Sequence, residues 1–365
     1  MTQLLIAVLT VLLVGWGARA SAGPGGALAA MVSLGMTQNF FFYAPMTLLD
    51  GVLMLGAAMV VAGALRPRLD AAAGWLMFGG TLVGVATKAP FGLVTPVALI
   101  AGRVIVERSV RWAARATALT VLATLPVVLF VATSSDWLEH YGREQLIASM
   151  NGTRSDGGGG PLFPARMVLE MFWPGLALIA FGVLPVRRRL CGTIPEPPPR
   201  SFHSLSLGGV LAIAALSLPA RKLNTHVFVL FPMLSALAGA AVGPAVDRLP
   251  VRITNGTLLL LLATGLIAGP LGIARLYCRP ACALSTVFAP QLDALPPGTE
   301  VDIVSRSSPW SMIALLAAER RFLPFHVAEL GAREWAVVER ELWVPRSGWS
   351  AVSEAPGWYL VRRDP

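Results

Sequence analysis

The sequence predicts an all-α polytopic membrane bundle of about ten transmembrane helices, followed by a small α/β soluble domain. Three observations lead there. Of the 365 residues, 55% are apolar and 13% charged, with a mean hydropathy of +0.67, whereas a soluble protein carries about a quarter charged residues. Apolar stretches close to the ~20 residues needed for one bilayer crossing recur along the first 275 residues. From residue 276 the pattern changes to short strand-like and helix-like runs, so the expected division is 1–275 transmembrane and 276–365 soluble.

The expected spans are 2–18, 24–40, 45–65, 72–87, 89–103, 112–133, 166–186, 203–220, 224–246 and 254–274. The first is apolar from Gln3 to Trp16, but no positive charge precedes it, which argues for a span and against a cleaved signal peptide. The fourth and fifth form one apolar stretch broken at Thr87-Lys88-Ala89-Pro90. Proline disfavours helix at the residue before it, and a lysine at mid-bilayer costs a few kcal/mol. Two helices with Lys88 at a surface turn are therefore predicted.

Charge placement supports the count. Arg19, Arg66, Arg68, Arg103, Arg108, Arg111, Arg187, Arg188, Arg189, Arg200, Arg248 and Arg252 all fall in alternate loops, which the positive-inside rule assigns to the cytoplasm. The opposite face receives Lys88, the loop 134–165, Arg221-Lys222 and the C-terminal domain. Both termini are then expected outside the cytoplasm of a bacterial inner membrane. The formal charge of +9 comes almost wholly from arginine, since only Lys88 and Lys222 are lysines, and no basic face with interleaved aromatics points to nucleic acid.

The loop 134–165 begins with a helix-like run, Asp136 to Met150, and ends in four glycines. It reads either as a substrate gate or as a connector. In the C-terminal domain, Glu300–Ser305, Phe322–Ala328, Trp335–Glu341 and Trp358–Arg362 read as strands and Trp310–Arg320 as a helix. Cys191, Cys278 and Cys282 complete no metal spacing. A disulfide between Cys278 and Cys282 stays open.

Ionisable residues in or beside spans are the functional candidates. Asp50 lies just inside the third span and could orient a hydroxyl, bind a metal or pair with a cation; the bland alternative is a buried, helix-bonded acid. Lys88 and Lys222 are the only lysines in an arginine-rich chain, and both fall at expected outer turns. A compact ammonium suits phosphate; with Arg221 they could hold a lipid-borne phosphate, or simply snorkel. His226 reads as structural. Glu139, His140, Arg143, Glu144 and Arg154 populate the outer loop as substrate contacts or as a solvated face. Glu170 pairs with Arg166 at i,i+4 in the simplest reading.

These residues fall in segments that resemble a family. Gly80 to Pro96, around Thr87-Lys88-Ala89-Pro90, resembles the leucine-threonine-lysine-glycine-proline segment of the C-type membrane glycosyltransferases, above all the aminoarabinose transferases and protein O-mannosyltransferases. Arg221-Lys222-Leu223-Asn224-Thr225-His226 with Phe231-Pro232 resembles their lysine-leucine-x-threonine-tyrosine segment, with His226 where tyrosine is usual. Tyr43-Ala44 with Leu49-Asp50 resembles their tyrosine-alanine-x-leucine-aspartate segment with a longer spacer. Glu139-His140 to Arg154, then Phe172-Trp173-Pro174, resembles their outer loop and the span after it.

The resemblance implies a GT-C-like fold and transfer of a sugar from a polyprenyl-phosphate donor to a lipid, glycan or protein acceptor at the outer face. Lys88, and with it Arg221 and Lys222, would hold the donor phosphate and Asp50 would assist acceptor or sugar binding. The residues name no definite cofactor, and a divalent metal stays open. One departure stands out: the family carries acidic residues in a large first outer loop, and here no Asp or Glu precedes Asp50. Four explanations stay open: an upstream start, a second polypeptide supplying the first spans, Asp50 in a double role, or a remnant. A catalytically incomplete subunit is therefore the alternative to the enzyme. A transporter is disfavoured because no repeated halves or matching broken helices are visible.

Overall fold

The computed structural model describes residues 2–37, 48–133, 160–183, 200–219, 224–248, 288, 290–292, 294–296, 299, 301–304, 325–327, 333–345, 347–355 and 358–364. The expected span 254–274, the expected helix Trp310–Arg320, most of the loop 134–165 and all three cysteines lie outside them. The chain divides into two compact units, Met1–Ile267 and Ala268–Pro365.

The first unit is helical. In order it contains α1 Thr2–Gly35, α2 Leu48–Ala64, α3 Ala71–Gly92, α4 Val94–Glu107, α5 Val110–Thr133, α6 Phe163–Met171, α7 Trp173–Val183 and α8 Arg200–Ser217. A 3-10 segment, Asn224–Leu230, then leads into α9 Phe231–Val246.

Glycine and proline decide where these helices turn. Within α1, Gly23 has φ 74° and Pro24 follows, so the helix breaks where the left-handed region suits glycine. The two arms fold back on each other. An added Cβ at Gly15 would meet the Met31 side chain at 2.5 Å and the Ala27 carbonyl at 3.5 Å, although a straight helix would separate residues 15 and 27 by ~18 Å. The expected spans 2–18 and 24–40 thus correspond to two arms of one hairpin. In α3 the regular helix stops at Lys88 (φ −148°, ψ 74°), two residues before Pro90. Pro90 offers no N–H and its ring crowds the carbonyl four residues back. The chain then turns 84° into α4, as the sequence predicts for this stretch.

The expected span 166–186 is instead broken at Phe172, and α6 and α7 meet at 86°. Pro174 opens α7 and removes the donor that would have continued α6. Three described helical stretches are long and apolar enough to cross a bilayer, or up to five with each bent pair taken as one span.

Small residues set the spacing of the core helices. An added Cβ at Gly239 of α9 would lie 2.4 Å from the Gly26 carbonyl of α1, and one at Gly80 of α3 would lie 2.5 Å from the Gly56 carbonyl of α2. Backbones this close are how helices associate where apolar surroundings give no hydrophobic drive. α9 is the central element: every residue from Phe231 to Gly243 is buried.

The helix directions gather arginine at one end. Arg103 of α4 donates to the carbonyls of Ala64 (2.6 Å) and Arg66 (3.1 Å) at the end of α2. It also pairs with Glu107 at 2.6 Å and lies 4.2 Å over the Trp112 ring of α5. Ser204 of α8 donates to Glu107 at 2.9 Å. Arg66 stands over Trp16 of α1. At the α1 turn, Gly25 N–H donates to Asp247, at the end of α9. Arg19, Arg66, Arg68, Arg103, Arg108, Arg111, Arg200 and Arg248 therefore share one end of the bundle.

The second unit contains a five-stranded sheet ordered β2-β1-β3-β5-β4. Its strands are β1 Val301–Val304, β2 Phe325–Val327, β3 Trp335–Glu339, β4 Trp349–Ala355 and β5 Trp358–Arg363. β1 is parallel to β2 and β3; β5 runs antiparallel to β3 and β4. Four strands fall where the sequence places them. β4, an edge strand with a register shift between Ala351 and Ser353, is missed because its small polar residues give no clean alternation. Phe288, Leu292, Val301, Trp335, Val337 and Leu360 form one core. Asp302 is buried and receives both the Arg333 backbone N–H (3.1 Å) and its guanidinium (2.7 Å).

Candidate functional site

At the end opposite the arginines, the starts of α2 and α9 meet the break in α3. Asp50 lies in the first turn of α2, where the helix dipole favours a carboxylate. Lys88 sits at the break, where the extended backbone takes its side chain out of the helical ladder. The two make a direct ion pair, Lys88 Nζ to Asp50 Oδ1. Only 6% of the Asp50 side chain and 20% of the Lys88 side chain are exposed. This is a shielded pair at the rim of the bundle, and Lys88 keeps one accessible flank.

The 3-10 segment closes the site from a third side. The His226 ring stacks on Phe91, centroids 3.9 Å apart and planes 26° from parallel. Phe91 follows Lys88 by three residues, so this stack braces the turn that carries the lysine. Thr95, at the start of α4, donates to the Val229 carbonyl at 3.1 Å and ties the same turn to the entry of α9. Phe231 continues the aromatic layer, 5.8 Å from Phe172 and 5.4 Å from Phe228.

The sequence-predicted candidates thus divide in two. Asp50 and Lys88 come together, and His226 joins them through Phe91. Arg221, Lys222, Glu139, His140, Arg143 and Arg154 lie outside the described residues, as does Tyr43. Glu170 pairs with Arg166 at 2.6 Å, as its spacing suggests. Phe91 was not singled out by sequence; its position three residues after an isolated lysine was the available signal. The Arg103–Glu107–Ser204 network was also missed. The i,i+4 spacing of Arg103 and Glu107 was readable, but Ser204 and Trp112 were not. That network borders a hollow of about 40 Å³, room for a few waters at most.

Among the described residues, no group of three or more His, Cys, Asp or Glu could hold a metal ion. Among the described residues at the site, the Asp50 carboxylate pairs with Lys88.

No protein-family model matches the sequence, and no curated protein matches it. Two solved structures share its fold. The first is ArnT from Cupriavidus metallidurans bound to undecaprenyl phosphate, with a TM-score of 0.63 and 16% identity over 98% of this chain and 82% of that one. The second is ArnT from the same organism in the apo state, at TM-score 0.63 and 15% identity, with the same coverage. At these identities the likeness is one of fold: 98% of this chain aligns with the fold of the two ArnT structures.

Proposed function

We propose that the chain is a polyprenyl-phosphate-dependent glycosyltransferase acting at the outer face of the bacterial inner membrane. The Asp50–Lys88 pair carries this reading. The Lys88 ammonium is set at a helix break beside Asp50, with 20% of its side chain exposed, at the end of the bundle away from the Arg103 network. The ArnT structure that holds undecaprenyl phosphate has the same fold, and the sequence resemblance to aminoarabinose transferases points the same way.

Lys88, aided by Arg221 and Lys222 from the segment before His226, would bind the donor phosphate and take up the charge that develops on it as it departs. Asp50 would hold Lys88 in register in the resting state. When the phosphate takes its place beside the ammonium, the carboxylate would be free to accept the proton of an acceptor hydroxyl. The reaction is a displacement: the acceptor oxygen forms a bond to the anomeric carbon, the bond from that carbon to the phosphate oxygen breaks, and the polyprenyl phosphate leaves. The arginine-rich end would face the cytoplasm, the ten-crossing count would place both termini outside, and residues 276–365 would form an extracytoplasmic domain.

The purified chain in lipid bicelles should bind undecaprenyl phosphate. Lys88→Ala should weaken that binding by at least tenfold, while Lys88→Arg retains part of it. Incubation with radiolabelled polyprenyl-phosphate sugars and membrane lipid then tests transfer. Unchanged binding in Lys88→Ala would remove the phosphate role. Binding without transfer would favour the incomplete-subunit alternative.

A further inference from the structure

We propose that the arginine-rich end of the helical unit binds the headgroup of an anionic phospholipid, with its acyl chains lying along the first arm of α1. A hollow of about 330 Å³ opens there, lined by Ala20, Arg66, Pro67, Arg68 and Asp70. It lies between the end of that arm and the α2–α3 connection.

Two features beside this shallow hollow suit it to a lipid. The first is an apolar track leading to it. Leu5, Val8, Leu9, Leu12 and Trp16 are all exposed and recur at three- and four-residue spacing, which places them on one face of α1. Trp16 is one turn from Ala20, and tryptophan with an apolar body and a polar N–H suits the level where acyl chain gives way to headgroup. The second is a fixed cation at the head of the track. The Arg66 guanidinium lies 3.1 Å from Asp70 Oδ2 and 4.2 Å over the Trp16 ring, so it is held at the mouth of the hollow.

Asp70 does not repel the ligand as an isolated carboxylate would. Its Oδ1 accepts the Ala73 N–H at 2.8 Å to cap α3, and its Oδ2 pairs with Arg66. Arg68, exposed on the same connection, then supplies the cation facing a phosphate. A zwitterionic headgroup would bring its own ammonium against these guanidinium groups, so the site should select lipids with net negative charge. A cation near an anionic membrane surface changes affinity by about fivefold per arginine.

Native mass spectrometry of the full chain, offered phosphatidylglycerol and phosphatidylethanolamine with matched acyl chains, tests this without reference to transferase activity. The anionic lipid should be retained in preference. Arg68→Gln should lower its retention by about fivefold, and Arg66→Gln with Arg68→Gln by more, while the zwitterionic lipid is unaffected. Arg68 is exposed, so its variant should melt like the parent. Equal retention of both lipids, or unchanged retention in Arg68→Gln, overturns the proposal. Displacement of the lipid by excess inorganic phosphate would make this a free-phosphate site instead. Crosslinking from Leu12→Cys to a protein rather than to lipid would make the track a protein interface.

Discussion

Charged side chains away from water are stable only in company. Removing an ammonium or a carboxylate from water costs several kcal/mol per ion, and attraction offsets this only when both partners are present and well placed. Asp50→Asn should therefore destabilise the protein, by up to about 3–5 kcal/mol, because it removes the carboxylate that pairs with Lys88 across the α2–α3 contact. Asp50→Leu with Lys88→Met should cost less than the sum of the two single changes, as read from thermal melting in detergent. Asp70 is different because it meets solvent. The Ala73 N–H, and then the Arg66 guanidinium, hold its pKa below the ordinary value of 3.8. Its stabilising contribution is therefore present above pH 3.8 and lost as the pH falls through the lower folded-state value. Asp70→Asn should flatten the fall of melting temperature below pH 3.8. Asp50 and Lys88 were each legible in the sequence because an ion in an apolar run is costly. Their pairing was not, because nothing local links residues 38 apart.

At the level of elements, the turns were legible wherever the sequence marks them twice. Gly23-Pro24 and Lys88-Ala89-Pro90 each combine a helix breaker with a second signal, and both are breaks in the fold. The α6–α7 bend was not foreseen, because Pro174 serves equally well as a kink inside one span or as the start of a second helix. β4 escaped for lack of alternation. The close helix contacts carry their own prediction. A side chain at Gly239 would collide with the Gly26 backbone rather than with a flexible tip. Gly239→Val should therefore separate α1 from α9 and cost about 1–3 kcal/mol or more, whereas a valine at Gly74, whose added Cβ meets only the Leu119 side chain at 3.6 Å, should be far milder. Comparing the two melts separates packing from the loss of glycine itself.

For the helical unit, the described arginines among those that alternate along the sequence converge on one end in space. The sequence could show the alternation but not the convergence, which needs contacts such as Arg103 with the end of α2. The asymmetry predicts orientation, and α5 offers two reporters on a single helix. Arg111 lies beside Trp112 at the arginine-rich end, while Thr133 ends the same helix, ~33 Å further along its axis. With Cys191, Cys278 and Cys282 replaced by serine, an impermeant thiol reagent on intact spheroplasts should label Thr133→Cys and spare Arg111→Cys. Labelling in the reverse pattern would invert the proposed orientation.

The turn of the first hairpin is completed by a carboxylate that lies 222 residues further along the chain, where Asp247 receives the Gly25 amide. A ribosome adding 5–20 residues per second would need roughly 10–45 s to deliver that residue. Throughout that interval the second arm of α1 has no α9 backbone to lie against, and its glycine-lined surface must be sheltered by lipid or by the insertion machinery. A segment made 222 residues ahead of its partner is thus late to reach its final neighbours, and errors in biogenesis should leave α1 open to proteolysis.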